Sequence, residues 1–180
     1  MKLMLFAFTL LFCSEEMMAQ SPGDLTVVSA VDLQKYSGVW YEIARLPNRF
    51  QRECAGNVTA TYTVDGDELI VVNRCRTENG ELMAAEGRAR RAGDDLPTAK
   101  LKVRFAPAFL SFLPFVWGDY WIIDLAPDYS SAVIGEPDRE YLWILARTKT
   151  LDDGTLQQIL GRIRQQGYDL TDLLFTTHVQ

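Results

Sequence analysis

The sequence predicts an all-β protein: an eight-stranded antiparallel up-and-down β-barrel with one C-terminal α-helix packed on the outside. Three observations carry this expectation. Most of residues 57–148 falls into short runs that alternate apolar and polar side chains between glycine-bearing or polar turns, the period of strands with one buried face. The runs number eight once Gly38 to Arg45 is included, and closing eight strands into a barrel removes the edges that an open sheet exposes. Leu151 to Gln166 then changes period and places Leu156, Ile159, Leu160 and Ile163 on one helical face.

With 180 residues, 48% of them hydrophobic, the chain is long enough for one domain with a sizeable core, expected over residues 27–177. A net charge of -6 excludes non-specific nucleic-acid binding, which needs a basic surface. Residues 1–20 read as a leader. Lys2 and the apolar run Leu3 to Phe12 have the form of a secretory signal, whereas a membrane-spanning helix needs roughly 20 apolar residues. Leu10-Leu11-Phe12-Cys13 resembles a bacterial lipoprotein cleavage box, which implies that Cys13 becomes an acylated first residue, and Ser14 in second place is compatible with passage to the outer membrane. The alternative is ordinary cleavage after Ala19.

If the lipid takes Cys13, Cys54 and Cys75 remain. They flank a hairpin, Val58 to Val64 and Glu68 to Asn73, joined at Asp65-Gly66. A register closed on that turn sets Cys75 opposite residue 56 or 57, and a bend before the strand brings Cys54 within the ~4.4–6.8 Å Cα separation of a disulfide. The closed loop of about 20 residues makes such a bond worth roughly 3 kcal/mol. The alternative is two buried thiols.

Taken in order, Gly38 lets the chain turn sharply before the bulky Trp40, and Pro47 with Asn48 ends that strand. Val58, Ala60, Tyr62 and Val64 alternate with threonines, and Leu69, Val71 and Asn73 continue the pattern. In Leu82 to Arg91 the small residues Ala85, Gly87 and Ala89 share a face and leave space there. Leu101, Val103 and Phe105 alternate with Lys100, Lys102 and Arg104, and Tyr120 to Leu125, Ala132 to Gly135 and Tyr141 to Arg147 complete the set. Tyr120 to Ile123 and Tyr141 to Leu145 are apolar on both faces, so they need an outer cover, which the helix supplies. Thr150 with Asp153 reads as its capping pair, Gly167 as its stop, and Asp172 to Thr177 as a last short strand. The connection from Phe105 to Gly118 is too aromatic for an ordinary exposed loop. It either packs over the barrel or forms a hydrophobic rim at the barrel mouth that meets lipid or a partner.

Gly38-Val39-Trp40-Tyr41-Glu42-Ile43-Ala44-Arg45 resembles the first signature of the lipocalins, and Tyr141-Leu142-Trp143-Ile144-Leu145-Ala146-Arg147 resembles the third. Asp128-Tyr129 matches the second in part, with Pro127 in place of the usual Thr. By these residues the chain is identified as similar to the bacterial outer-membrane lipoprotein lipocalins and to apolipoprotein D, over Val27 to Thr177. The resemblance implies that Arg147 packs across Trp40 at the closed end, so Gly38, Trp40 and Arg147 are structural. It also sets Tyr141, Trp143 and Leu145 inward with Arg147. Tyr62 and Trp121 match cavity-lining positions of apolipoprotein D, which turns Val58, Ala60 and Ile123 inward too. The expected ligand-binding set is therefore Tyr62, Val71, Phe105, Trp121, Ile123, Tyr141 and Trp143.

The function so implied is non-enzymatic binding, storage or transport of a fatty acid, lysophospholipid or similar lipid. The expected place is the cell envelope on the periplasmic side of the outer membrane, reached through the N-terminal lipid anchor, in a form compatible with a homodimer. No cofactor is expected, and a single histidine, His178, gives no multi-histidine metal site. The rival readings are a lipid-modifying lipocalin enzyme and a ligand-free envelope interaction protein. Glu42 is either a carboxylate at the cavity edge or a partner for an arginine such as Arg45.

Overall fold

Each alternating run forms a strand. In chain order the elements are α1 (Leu33–Tyr36), β1 (Gly38–Arg45), β2 (Gly56–Asp65), β3 (Glu68–Arg76), β4 (Leu82–Arg91), β5 (Lys100–Arg104), β6 (Gly118–Leu125), β7 (Ser131–Gly135), β8 (Leu142–Ala146), α2 (Asp153–Gln165) and β9 (Leu174–Phe175). The computed structural model describes residues 23–179, so the leader, Cys13 included, lies outside the described residues. Neighbouring strands pair antiparallel in the order β2-β3-β4-β5-β6-β7-β8-β1, and β1 pairs again with β2, which closes the barrel. The short β9 lies beside the second half of β1, within the stretch expected to hold a last strand. Asp65 pairs with Glu68 across the predicted hairpin turn, where Gly66 takes φ +64°.

Because every hairpin reverses the chain, the connections alternate between two ends. Residues 46–55, 77–81, 105–117 and 136–141 lie at one end, here the mouth. The tight turn at 66–67, residues 92–99 and 126–130, and α1 lie at the other, the closed end.

Two apolar clusters follow from the two faces of the sheet. Trp40, Tyr62, Leu69, Val71, Leu101, Ile122, Ile134 and Leu145 fill the interior with Tyr36 of α1. Ile43, Ile123, Val133, Leu142 and Ile144 instead pack outside against Ile159, Leu160 and Ile163 of α2. This is the cover that the doubly apolar strands require. The cap lies two residues later than predicted. Asp152, not Thr150, is the N-cap, and its carboxylate accepts from the Thr155 amide at 2.9 Å because a side chain one position before the first helical residue is the one that reaches the free N–H groups.

Two β-bulges decide which side chains face in. The register of β1 against β8 shifts between Glu42 and Ala44, and that of β6 against β7 between Ile122 and Asp124. Ile43 and Ile123 are the extra residues, and both turn outward into the helix cluster. At the mouth, Cys54 and Cys75 form a disulfide with a Cα separation of 5.5 Å, and a register shift between Gly56 and Thr59 supplies the expected bend.

The closed end is built around Arg147. Its guanidinium lies 3.9 Å from the centre of the Trp40 ring. Its Nη2 donates to the carbonyls of Lys35 (2.7 Å), Ser37 (2.9 Å) and Tyr36 (3.1 Å), and its Nη1 to that of Val39 (2.9 Å). Gly38 has φ +97°, a left-handed conformation that favours glycine, and a Cβ there would crowd Arg147 Nη1 at 3.2 Å. Trp40 is fully buried, and its indole N–H donates to the Tyr36 carbonyl at 2.7 Å. A lysine is a point charge without a planar fork, so it cannot hold these carbonyls and stack on the indole together. Arg147→Lys is therefore expected to cost about 3 kcal/mol of unfolding free energy. Urea titration checks this, and a loss within error of zero would contradict the plug.

Candidate functional site

The interior floor above Trp40 carries three phenols from three elements. Tyr36 comes from α1, Tyr62 from β2 and Tyr120 from β6. The Tyr120 hydroxyl lies 2.8 Å from that of Tyr36 and 2.7 Å from that of Tyr62. Burial pushes the Tyr62 phenol from 10.0 up to about 12, and burial also raises Tyr36 and Tyr120 well above the usual tyrosine value. All three thus stay protonated at neutral pH as hydrogen-bonding groups above the plug.

A second polar group lies nearer the mouth. Glu42 pairs with Leu145, an interior residue, so its side chain faces inward, where it is only 2% exposed. Arg45 Nη1 donates to Glu42 Oε1 at 2.6 Å, and Thr176 Oγ1 donates to the same oxygen. Gln51, from the β1–β2 connection, donates from Nε2 to Glu42 Oε2 at 2.6 Å and accepts from the Trp143 indole N–H at 2.7 Å. Glu42 is therefore the partner of Arg45, and Gln51 ties the first mouth connection to the barrel wall. A buried carboxylate is stable here because its oxygens meet a cation and two further donors.

Between these groups the wall is mostly apolar, and its inward side chains are unevenly buried. The inward side chains of Leu69, Leu101, Ile122 and Ile134 are fully buried. Asn73, Val103, Tyr120 and Trp143 also face inward, yet they are only half-buried, and Ala85 is exposed. Phe105 closes part of this space. A Cβ on Gly87 would lie 2.7 Å from its ring, so the small residue in β4 makes room for Phe105 rather than for empty volume.

Of the expected ligand-binding residues, Tyr62 and Val71 lie in the interior cluster with Trp143 packed on it, and Phe105 stands at the mouth. Tyr141 immediately precedes β8 and stacks on Trp143, with centroids 6.0 Å apart and planes 20° from parallel. Trp121 and Ile123 do not face the interior. Both pack on the outer side toward α2, because β6 pairs Leu101 with Tyr120 and Ile122 with Ile134, which turns Tyr120 and Ile122 inward. The inward phenol of β6 is thus Tyr120, one position before the tryptophan. Sequence reasoning also missed Tyr36 and Gln51. The pairing of Leu101 with Tyr120 would have given the phase of β6, but it lies across a long connection whose length does not set a register.

The three phenols supply a pH test. Their folded-state values lie above the unfolded 10.0, so the stability they contribute is fully present below pH 10 and is lost as pH rises through the folded value, about 12 for Tyr62. Titration of tyrosinate absorbance should show part of the seven tyrosines ionising only together with unfolding, between pH 10 and about 12. Smooth ionisation of all seven before any loss of structure would contradict the buried cluster.

Comparison with known proteins agrees with this architecture. Residues 31–178 match the model of the lipocalin-like domain. The chain is 41% identical over 151 residues to temperature-induced lipocalin-1 of Arabidopsis thaliana, covering 83% of this chain and 81% of that one. It is 38% identical over 172 residues to the outer membrane lipoprotein Blc of Escherichia coli (strain K12), covering 94% and 90%. Insecticyanin from the tobacco hornworm Manduca sexta superposes with a TM-score of 0.67 at 21% identity over 87% of this chain and 86% of that one, a likeness of fold alone. With a barrel closed by Trp40 and Arg147 and a family match over nearly all of the described residues, this chain belongs to the lipocalin family.

Proposed function

We propose that the barrel holds one amphipathic lipid, a fatty acid or lysophospholipid, and stores or carries it at the bacterial cell envelope. The observation that carries this reading is the uneven burial of the inward side chains. Leu69, Leu101, Ile122 and Ile134 are fully buried, while Asn73, Val103, Tyr120 and Trp143, which also face inward, keep accessible surface within a ring of eight strands. An eight-stranded barrel is either filled by its own side chains or holds one small ligand, and here the filling stops partway. Removing an acyl chain from water gives roughly 0.8 kcal/mol per CH₂ before the costs of association.

The expected contacts are Tyr62, Val71, Phe105, Tyr141 and Trp143, joined by Tyr120. The two described cysteines are bonded to each other, so neither offers a thiol nucleophile, which favours binding over lipid chemistry. Similarity to an outer membrane lipoprotein supports an envelope location and acylation of Cys13.

Native mass spectrometry of the protein extracted from membranes tests the whole reading. The expected spectrum shows an acylated N-terminus at Cys13 and, after delipidation and re-addition of fatty acid or lysophospholipid, a one-to-one complex. A barrel that stays empty with every lipid tried contradicts the binding role, and an unmodified N-terminus at Gln20 contradicts the anchor.

A further inference from the structure

We infer that the barrel has a second, lateral entrance between β1 and β2 near the mouth, and that residues 174–179 are the strap that keeps it shut. The strand pairings leave a gap there. β1 pairs with β2 only as far as Tyr41 opposite Thr59, whereas its pairing with β8 continues to Arg45 opposite Trp143. Over the same stretch β2 bends away, with a register shift against β3 between Gly56 and Thr59 and a left-handed Asn57 at φ +51°. The edge that β1 presents without β2 is the one on which β9 lies, with Ala44 opposite Phe175 and Arg45 opposite Leu174.

The strap bridges this gap from one strand to the other. On the β1 side the Thr176 amide donates to the Ile43 carbonyl at 3.0 Å, and His178 Nε2 donates to the Glu42 carbonyl at 2.8 Å. On the β2 side the Thr177 carbonyl accepts from the Asn57 amide at 2.9 Å, and the Val179 amide donates to Asn57 Oδ1 at 2.9 Å. The approach is close. A Cβ on Gly56 would stand 2.7 Å from the Thr177 carbonyl oxygen, so a side chain fits there only if the strap moves. Behind the strap lies the interior, because the Thr176 hydroxyl reaches through the gap to the inward carboxylate of Glu42.

The strap is less firmly anchored than the mouth connection beside it. Residues 46–55 are pinned by the disulfide of Cys54 with Cys75 and by the bonds of Gln51 to Glu42 and Trp143. The strap carries no cysteine and pairs with β1 at two positions, and Leu174 and Phe175 are 45% and 58% exposed, so peeling it away gives up little apolar burial. A segment held by exposed backbone bonds and few buried apolar contacts opens at a small fraction of the cost of global unfolding. The opened gap leads past Glu42 to Gln51 and the Trp143 ring that lines the interior. An acyl chain passes sideways by this route while the disulfide-pinned mouth keeps its shape, and the exposed Leu174 and Phe175 give the outer edge an apolar surface.

The inference rests on the proposed uptake of a lipid, and two variants test it by loosening the strap without changing an inward side chain. Gly56→Ala sets a methyl group against the Thr177 carbonyl. Asn57→Gly suits the left-handed backbone and removes only the bond to Val179, so it carries the test where Gly56→Ala impairs folding. Amide hydrogen exchange at Thr176 reads the strap, and stopped-flow tryptophan quenching by a fatty acid brominated along its chain reads binding and release. Both variants should exchange the Thr176 amide several-fold faster, and should bind and release the fatty acid several-fold faster with an unchanged dissociation constant, because a gate alters both rates alike. Unchanged rates with a freed Thr176 amide would route the ligand through the mouth and overturn the entrance while leaving the binding role intact. A Thr176 amide that stays protected in both variants would show that these contacts do not hold the strap, and a changed dissociation constant at unchanged association rate would make residues 174–179 part of the binding wall; either result overturns the proposal. A wild-type protein that takes up no fatty acid contradicts the binding role itself, and the entrance falls with it.

Discussion

The guanidinium of Arg147 satisfies two demands that no other group at the closed end meets together: it covers the face of Trp40, and it answers carbonyls that α1 and the start of β1 leave pointing at one spot. A cation stacked on an indole contributes about 0.5–2 kcal/mol, and each charge-assisted hydrogen bond adds to it. The larger effect is geometric. With its floor fixed by Trp40, Tyr36 and Arg147, the barrel has one closed end, and the interior can then depart from close packing at the other.

That departure is managed by polar groups as much as by apolar ones. The phenols of Tyr36, Tyr62 and Tyr120 bond to each other above the plug, and Glu42, Arg45, Gln51 and Thr176 bond to each other below the mouth. Each set satisfies its own donors and acceptors, so the wall between them can be mostly apolar without leaving buried charge exposed to it. The bulges at Ile43 and Ile123 serve both sides of the sheet. They let β1 and β6 present Trp40, Glu42, Tyr120 and Ile122 inward while sending extra isoleucines to α2.

Much of this was legible in the amino-acid sequence because it depends on local period. The strands, the hairpin at Asp65-Gly66, the helix with Ile159 and Ile163 inward, and the pair of Trp40 with Arg147 all follow from spacing or from motif. The phase of β6 did not, since Tyr120-Trp121-Ile122-Ile123 is apolar at every position and a bulge changes its parity without a marker in the residues. Glu42 had two open readings, and its choice of Arg45 depended on Gln51 and Thr176, brought in from a connection and from a strand far along the chain. The space suggested by Gly87 is taken by the ring of Phe105, which follows the neighbouring strand β5. In each case the missing information was a tertiary pairing, not a local preference.

On the proposed function the barrel interior beside Trp143, and not the outer face of β6, receives an acyl chain. Fluorescence quenching by a fatty acid brominated along its chain tests it directly, because Trp143 lines the interior and Trp121 packs outside toward α2. Addition of the brominated fatty acid should quench the wild-type protein and the Trp121→Phe variant alike, and should lose most of that quenching in Trp143→Phe. Quenching that disappears with Trp121 and persists without Trp143 would place the ligand outside the barrel and contradict the account.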